Sequence, residues 1–278
     1  MNINNQIVKM SNTLIHKNTT MSIMQEKVFS VALRELERIN SDSDYPHEEV
    51  VINAGELLEY FGYDISSNKS MYRYLKDEVN SLQQHTYVEF EDGESQDSGY
   101  LIYRAKYYKH GEIHIWFGMS YLPLLTEFYE KYTRYLQDDF VYFRTKGAMN
   151  LYKIFMEKSY IVSHGSGVRF TTDEIKSALQ LSDDAYVIKT GHSKGKFNRT
   201  VFEKKAINPV IEEINEKSKC VNNIKYRKIK NGKFVKYYEF TYSYTDPDDI
   251  NPSRNKSNIK INNDSFMKMI NELKNGNI

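Results

Sequence analysis

The sequence predicts an α+β fold of two tandem winged-helix domains, related by an internal duplication and followed by a flexible C-terminal tail. One order of elements, a helix, a short helix, a longer helix and a β-hairpin, occurs twice along the 278 residues. The chain is also 40% hydrophobic and 14% aromatic, which is enough apolar material for two packed cores. We therefore expect an N-terminal segment over 1–19, domains over 20–140 and 141–245, and a linker with tail over 246–278.

The first copy opens with a long amphipathic helix between Thr20 and Asn40. Its apolar stripe consists of Ile23, Val28, Val31, Ala32, Leu36 and Ile39. A short β-like run then leads to Asn53, which the pattern favours as the cap of a brief helix ending near Gly62. The next stripe, which predicts the longer helix, is Met71, Leu75, Val79 and Leu82. Two runs rich in Tyr, Ile and Val flank the segment GESQDSG and predict the hairpin.

The second copy repeats this order. Its first helix is expected to bury Ala148, Leu151, Tyr152 and Phe155. A short strand, VRF, precedes the helix TTDEIKSALQL, for which Thr172 is the expected N-cap. The segment GKFNRTVFEKKAINPVIEEINEKS predicts a long helix, in which Pro209 favours a kink or a restart with Asn208 as cap. The pair Asn231-Gly232 lies between two β-like runs and predicts the second hairpin.

Composition narrows the class of protein. Lys and Arg total 38 against 37 Asp and Glu, so only local charge can indicate a nucleic-acid partner. The single Cys220 excludes a disulfide framework and a thiolate metal site. The N-terminus lacks the apolar core of a signal peptide, and no apolar run is long enough to span a bilayer. We expect a cytoplasmic protein with no membrane partner.

No catalytic constellation is apparent, so we expect a protein that is not an enzyme and needs no cofactor or metal. The stretch GHSKGKFNR resembles a phosphate-binding loop only superficially, because Gly191 and Gly195 are one residue too close and Phe197 replaces the magnesium-binding hydroxyl. The stretch from His164 to Gly167 lacks the first glycine of a nucleophile elbow and is typical of a turn. The histidines are scattered, and structural or solvent roles fit them better than metal ligation.

The long helix of the second copy carries the strongest functional pattern. At 100° per residue, Phe197 and Val201 fall on the inward side, while a polar and mostly basic face carries groups that can pair with base edges. That reading face is Lys196, Arg199, Thr200 and Glu203. Asn198 lies within the same stretch, and the phosphate-contacting flanks are Lys194, Lys204 and Lys205.

The hairpin that follows is basic throughout. In KYRKIKNGKFVK the six cations are Lys225, Arg227, Lys228, Lys230, Lys233 and Lys236, and the segment has no carboxylate. Two adjacent basic elements in a chain of balanced charge predict a surface that faces double-stranded DNA.

The first copy gives a weaker form of the same signal. Its longer helix presents Lys69, Tyr72, Arg73, Lys76 and Asn80 opposite the apolar stripe. Its hairpin is acidic at the tip, with Glu89, Glu91, Asp92, Glu94 and Asp97. Phosphates would repel those carboxylates, so we expect this hairpin to serve a protein contact or to point away from DNA.

The chain resembles the initiator proteins of iteron-containing bacterial plasmids, the RepA/RepB/RepE type. The resemblance runs from about Ile7 to Tyr244 and is carried by IVKMSNTL with the long first helix, AMNLYKIFMEKSY, FTTDEIKSALQL and the GKFNRTVFEKK helix with its strands. It implies a replication initiator that binds repeated origin sequences, helps to open the adjoining duplex and recruits the host initiator and replicative helicase. It also implies main base readout by the second domain, and dimerisation and auxiliary DNA contact by the first. Dimers of such proteins often repress their own synthesis.

Three other functions share some of these features. A winged-helix transcriptional repressor would have every local feature and differ only in the surroundings of its DNA site. A rolling-circle nicking enzyme needs two histidines beside a nucleophilic tyrosine, and only His114 of that pattern is present. A protein-binding winged-helix scaffold would not need the basic second hairpin.

Overall fold

The computed structural model describes residues 7–16, 19–41, 43, 45–64, 69–91, 96–125 and 132–250, which form two compact units. The first unit contains described residues 19–125, and the second contains 7–16 together with 132–250. Strand β1 (Ile7–Ser11) belongs to the second unit because it pairs antiparallel with β7 (Tyr132–Leu136). The described residues 132–140 therefore belong to the second unit and not to the first domain as predicted, and 7–16 of the predicted N-terminal segment also belong to the second unit.

The first unit begins with α2 (Ile23–Ser41), since the short α1 (Asn12–Ile15) follows β1 in the second unit. Strand β2 (Glu49–Asn53) leads into α3 (Ala54–Tyr60), and the Asn53 side chain caps that helix by accepting from the Glu56 N–H at 3.0 Å, as predicted. Helix α4 (Lys69–Ser81) buries Leu75 and Val79 of its predicted stripe, while Met71 is half-buried and Leu82 is buried in the turn that follows. A 3₁₀ turn over Leu82–His85 directly follows α4.

The first unit has two hairpins where the sequence predicted one. Strands β3 (Tyr87–Glu91) and β4 (Gln96–Tyr100) form the acidic ribbon, of which residues 92–95 lie outside the described part. Strands β5 (Ile102–Tyr107) and β6 (Glu112–Phe117) join β2 in a separate sheet of order β2-β6-β5. The chain passes from one sheet to the other at buried Leu101, whose N–H donates to the Thr86 carbonyl at 3.0 Å.

The position of the wing in the first unit therefore differs from the prediction. The sheet's own hairpin turn covers residues 108–111, where Gly111 has a φ of +91° that suits glycine. This turn is flanked by Lys106 and carries Lys109 and His110, so it is basic where the predicted wing was acidic. Of the acidic residues, Glu89, Glu91 and Asp97 belong to the additional β3–β4 ribbon, and Asp92 and Glu94 lie outside the described residues.

The second unit buries residues of α6 (Gln137–Tyr142), α7 (Lys146–Glu157) and α9 (Thr172–Ala178), whereas α8 (Ser159–Ser163) has no buried residue. All four residues predicted to face inward from α7 are buried. Helix α9 starts one residue earlier than predicted: Thr171 is the N-cap and forms a capping box with Glu174. Short α5 (Leu122–Leu125) closes the described part of the first unit.

A single long helical stretch runs from Arg199 to Lys217, in three parts. These are α10 (Arg199–Phe202), a π-helical segment (Glu203–Ile207) and α11 (Asn208–Lys217). Pro209 has no N–H to donate, and its ring crowds the preceding helical turn. The wider π turn just before Pro209 accommodates the ring and the missing hydrogen bond. Asn208 has helical backbone angles and is not an N-cap, so the predicted restart with Asn208 as cap does not occur.

Strand β8 (Val168–Phe170) and the hairpin of β9 (Val221–Asn231) and β10 (Phe234–Tyr244) form a sheet of order β8-β10-β9. The hairpin turn lies one residue later than predicted, at Gly232-Lys233, and only Gly232 has a positive φ, +59°. A glycine at the first central position with a positive φ is the pattern of a type II′ turn.

The start of the predicted linker is folded. Helix α12 (Pro247–Ile250) follows β10, and Arg134 of β7 pairs with Asp246 at 3.1 Å and with Asp248. The rest of the predicted tail, 251–278, lies outside the described residues.

Candidate nucleic-acid interface

The reading helix begins at Arg199 because the residues before it have other partners. Phe197 forms a β-bridge with Val187, and the Asn198 side chain accepts from the Val201 N–H at 3.2 Å. Asn198 is thus the N-cap. Lys194 and Lys196 are exposed in the turn before the helix, so Lys196 is not on the predicted helical face.

The residue that packs inward from this helix is Phe202, one position after the predicted Val201. Phe202 is fully buried and packs its ring against Tyr186, Phe197 and Tyr238 at centroid distances of 5.3–6.4 Å. Val201, which the sequence placed inward, is only half-buried. The exposed side carries Thr200, Lys204 and Lys205.

Glu203 faces the sheet. Its carboxylate accepts from Lys228 Nζ and from the Tyr238 hydroxyl, both at 3.0 Å. Burial and then Glu203 raise the pKa of Tyr238, although nearby Arg199 lowers it, so the phenol stays protonated and donates. In this conformation Glu203 positions the helix on the hairpin and does not present its oxygens to a base.

Arg199 lies half-buried beside this network. Its Nε atom is buried, and within the described residues it has no hydrogen-bond partner. An unpaired buried donor is costly, and a guanidinium can satisfy it by pairing with a strong acceptor. A guanine edge or a phosphate offers such an acceptor at the start of this helix.

The six cations of the hairpin divide between the two faces of the sheet. Lys228 lies opposite Tyr238 on the inner face, where Glu203 binds it. Lys225 and Arg227 lie on the outer face, opposite Thr241 and Glu239 respectively. All six are exposed, and Lys230, Lys233 and Lys236 are those that lie around the tip of the wing.

The wing tip also carries an aromatic residue that the sequence analysis missed. Phe234 directly follows the turn and its residue surface is 78% exposed. A large apolar side chain beside three lysines is suited to contact with deoxyribose or base edges in a minor groove. The signal available in the sequence was a Phe at a predicted turn.

The first unit presents the predicted basic face of α4. Lys69, Arg73, Lys76 and Asn80 are exposed at four-, three- and four-residue steps, and Tyr72 is half-buried. The structure therefore brings these residues onto one face as predicted.

The described residues contain neither a membrane-spanning helix nor a cluster of metal ligands. No helix there is long and apolar enough to cross a bilayer. No group of three or more His, Cys, Asp and Glu is arranged there to hold a metal ion.

Comparison with known proteins decides the family. Residues 7–156 match the family model described as "Initiator Replication protein, WH1", and residues 171–242 match "Initiator Rep protein, WH2". The chain belongs to this family of replication initiators. Its two winged-helix domains are thereby confirmed, although the first family match crosses the division between the compact units.

A solved structure has a similar fold. The Pi initiator protein, solved in complex with iteron DNA, is similar with a TM-score of 0.65 at 14% identity, covering 88% of this chain and 100% of its own. Domains 2 and 3 of RctB give a TM-score of 0.41 at 13% identity, covering 86% of each chain. No curated protein sequence matches the chain.

Proposed function

We propose that this initiator binds the repeated sequences of its replication origin as double-stranded DNA, mainly through the second unit. The observation that carries the proposal is the exposed basic edge formed by the start of the 199–217 helix and the wing tip. Thr200, Lys204 and Lys205 lie exposed on the helix, and three lysines and Phe234 lie exposed around the tip. The α4 face of the first unit supplies an auxiliary contact.

The remaining steps follow from the family and are part of the same proposal. Bound copies open the adjoining duplex and recruit the host initiator and replicative helicase, without cofactor and without catalysis by this chain. Homodimers formed through the first unit repress synthesis of the protein.

Fluorescence anisotropy on the repeats flanking the gene, against a scrambled duplex at several salt concentrations, tests the proposal. We expect repeat-selective binding with a steep salt slope, because phosphate contacts release counterions. Weak binding that ignores sequence would contradict it. A plasmid that replicates only when both the gene and the repeats are present would separate an initiator from a repressor.

A further inference from the structure

The outer face of the second unit's sheet carries cations that the proposed DNA interface does not use. Glu239 lies at its centre, paired across the three strands with Arg169 on one side and Arg227 on the other. The reading helix contacts the opposite, inner face through Glu203. DNA held by that helix is therefore separated from these arginines by the sheet.

A groove of about 850 Å³ borders this outer face. Its polar and charged lining consists of Lys158, Ser166, Arg169, Arg227, Glu239 and Thr241. Both arginines bind Glu239, yet their side chains are 58% and 73% exposed, whereas that of Glu239 is 6% exposed. Each guanidinium has five N–H donors, so each can bind a further carboxylate while it holds Glu239.

The turn from His164 to Gly167 explains how Glu239 is held. Gly165 has a φ of +79°, and a Cβ on Gly167 would lie 2.5 Å from Glu239 Cγ. The turn thus lets Glu239 lie beneath the two arginines. Contact with Arg227 and then Arg169 keeps the pKa of Glu239 below its ordinary value, so the floor of the groove stays ionised.

The chain also carries an acidic segment, whose charge is opposite to that of the arginines in the groove. DNA phosphates would repel this segment. Residues 89–97, EFEDGESQD, contain five carboxylates and no Lys, Arg or His. Of these carboxylates, Glu89, Glu91 and Asp97 belong to the strands of the β3–β4 ribbon, where Glu89 is exposed.

We propose that this groove receives the acidic ribbon of a second copy of this chain. Complementary charge steers two surfaces together and fixes their register. The proposal rests on the proposed function in one respect, namely that copies of the protein bind successive repeats of the origin. Repeats that share one orientation place neighbouring copies head to tail. Such a contact uses two different surfaces on each copy. DNA bound by the reading helix lies on the inner side of the sheet, away from this groove, so a DNA backbone is the less favoured occupant.

Charge exchange between the two surfaces tests the contact without DNA. One full-length variant carries Glu89→Lys with Glu91→Lys, and the other carries Lys158→Glu with Arg169→Gln. By sedimentation equilibrium at low salt, we expect each variant alone to associate at least about tenfold more weakly than the unaltered protein. An equimolar mixture of the two should regain association, because the unaltered ribbon of the groove variant can then bind the unaltered groove of the ribbon variant. Thermal unfolding checks that both variants are folded.

Each outcome decides the question. Unchanged association of either variant, no salt-sensitive association of the unaltered protein, or no recovery in the mixture would overturn the contact. If the groove variant instead keeps its association but loses affinity for every DNA sequence, the groove binds phosphates and the proposal is wrong. Binding of the unaltered protein to a single repeat, measured by fluorescence anisotropy, tests the proposed function separately. Absence of repeat-selective binding would contradict the proposed function, while the sedimentation result would still decide whether the two copies make this contact.

Discussion

At the scale of single residues, the reading surface differs from a simple helical wheel. The sequence put Arg199, Thr200 and Glu203 on one face, but the helix starts at an Asn198 cap and widens into a π turn at Glu203. Glu203 therefore turns to the sheet, while Thr200 and Lys204 stay exposed. A helical wheel assumes one period and a known starting residue, and neither holds here.

Arg199→Ala should reduce affinity for the repeat by about 1–3 kcal/mol and relax specificity at one base position. The reason is that its guanidinium, with a buried unpaired Nε, is placed to pair with an acceptor on DNA. Anisotropy on duplexes altered at single positions measures this. Lys217→Ala, at the far end of the same helical stretch, is the matched control and should leave binding unchanged. Equal losses on repeat and random DNA would argue against base readout by Arg199.

Lys230→Ala should weaken binding to all sequences alike and flatten the salt slope by about one unit, as expected for one lost phosphate contact. Lys230 is exposed near the wing tip, so its removal should not affect folding. The same titrations at several salt concentrations provide the measurement, with Lys217→Ala again as control. An unchanged slope would remove Lys230 from the DNA interface.

At the scale of elements, the sequence predicted what local patterns encode and missed what distant pairing decides. The Asn53 cap and the apolar stripes of α4 and α7 are local, and all were found. Strand β1 pairs with β7, and the chain passes between two sheets at Leu101. Both features depend on partners outside the local segment. No periodicity within one segment can specify them.

One buried carboxylate connects several elements of the second unit. Asp139 of α6 accepts from the hydroxyls of Tyr152 and Ser218, at 3.1 and 2.6 Å, and from the N–H groups of Lys219 and Cys220, at 2.9 and 3.0 Å. Burial and then Asp139 raise the pKa of Tyr152, which keeps that hydroxyl protonated as a donor. The carboxylate thus fixes the start of β9 against α6 and α7.

Asp139→Ala should lower the free energy of unfolding by about 3 kcal/mol or more, because it leaves several buried donors without an acceptor. Urea unfolding followed by circular dichroism measures the change. Glu216→Ala removes a carboxylate whose side chain is 67% exposed and should change stability by no more than about 0.5 kcal/mol. A similar small change for Asp139→Ala would show that the network contributes little.

At the scale of the whole molecule, stability should fall at both ends of the pH range. Arg227 and Arg169 lower the pKa of Glu239, and His110 and His114 lower that of Glu112, below the ordinary value of 4.5. A lowered carboxyl pKa stabilises the fold above 4.5, and this stability is lost as pH falls through the folded value. Burial raises the pKa of Tyr74 and Tyr244 from 10.0 to about 12, so their contribution is complete below pH 10 and is lost towards 12.

The melting temperature, followed across pH, checks both limits. It should drop as the pH falls below about 4.5 and again as it rises above about 10, with tyrosinate absorbance appearing together with unfolding at the alkaline end. Glu239→Gln should make the acid drop shallower. A melting temperature that is flat through both ranges would contradict these assignments.

The pairing of β1 with β7 has a consequence for how the protein is made. The first strand of the second unit leaves the ribosome before any of the first unit, while its partner emerges only after residue 131. During synthesis β1 cannot form this pairing until the whole first unit has been translated. The strand made first must therefore be joined to its unit across an already translated domain, and a fragment that starts at residue 131 would lack it altogether.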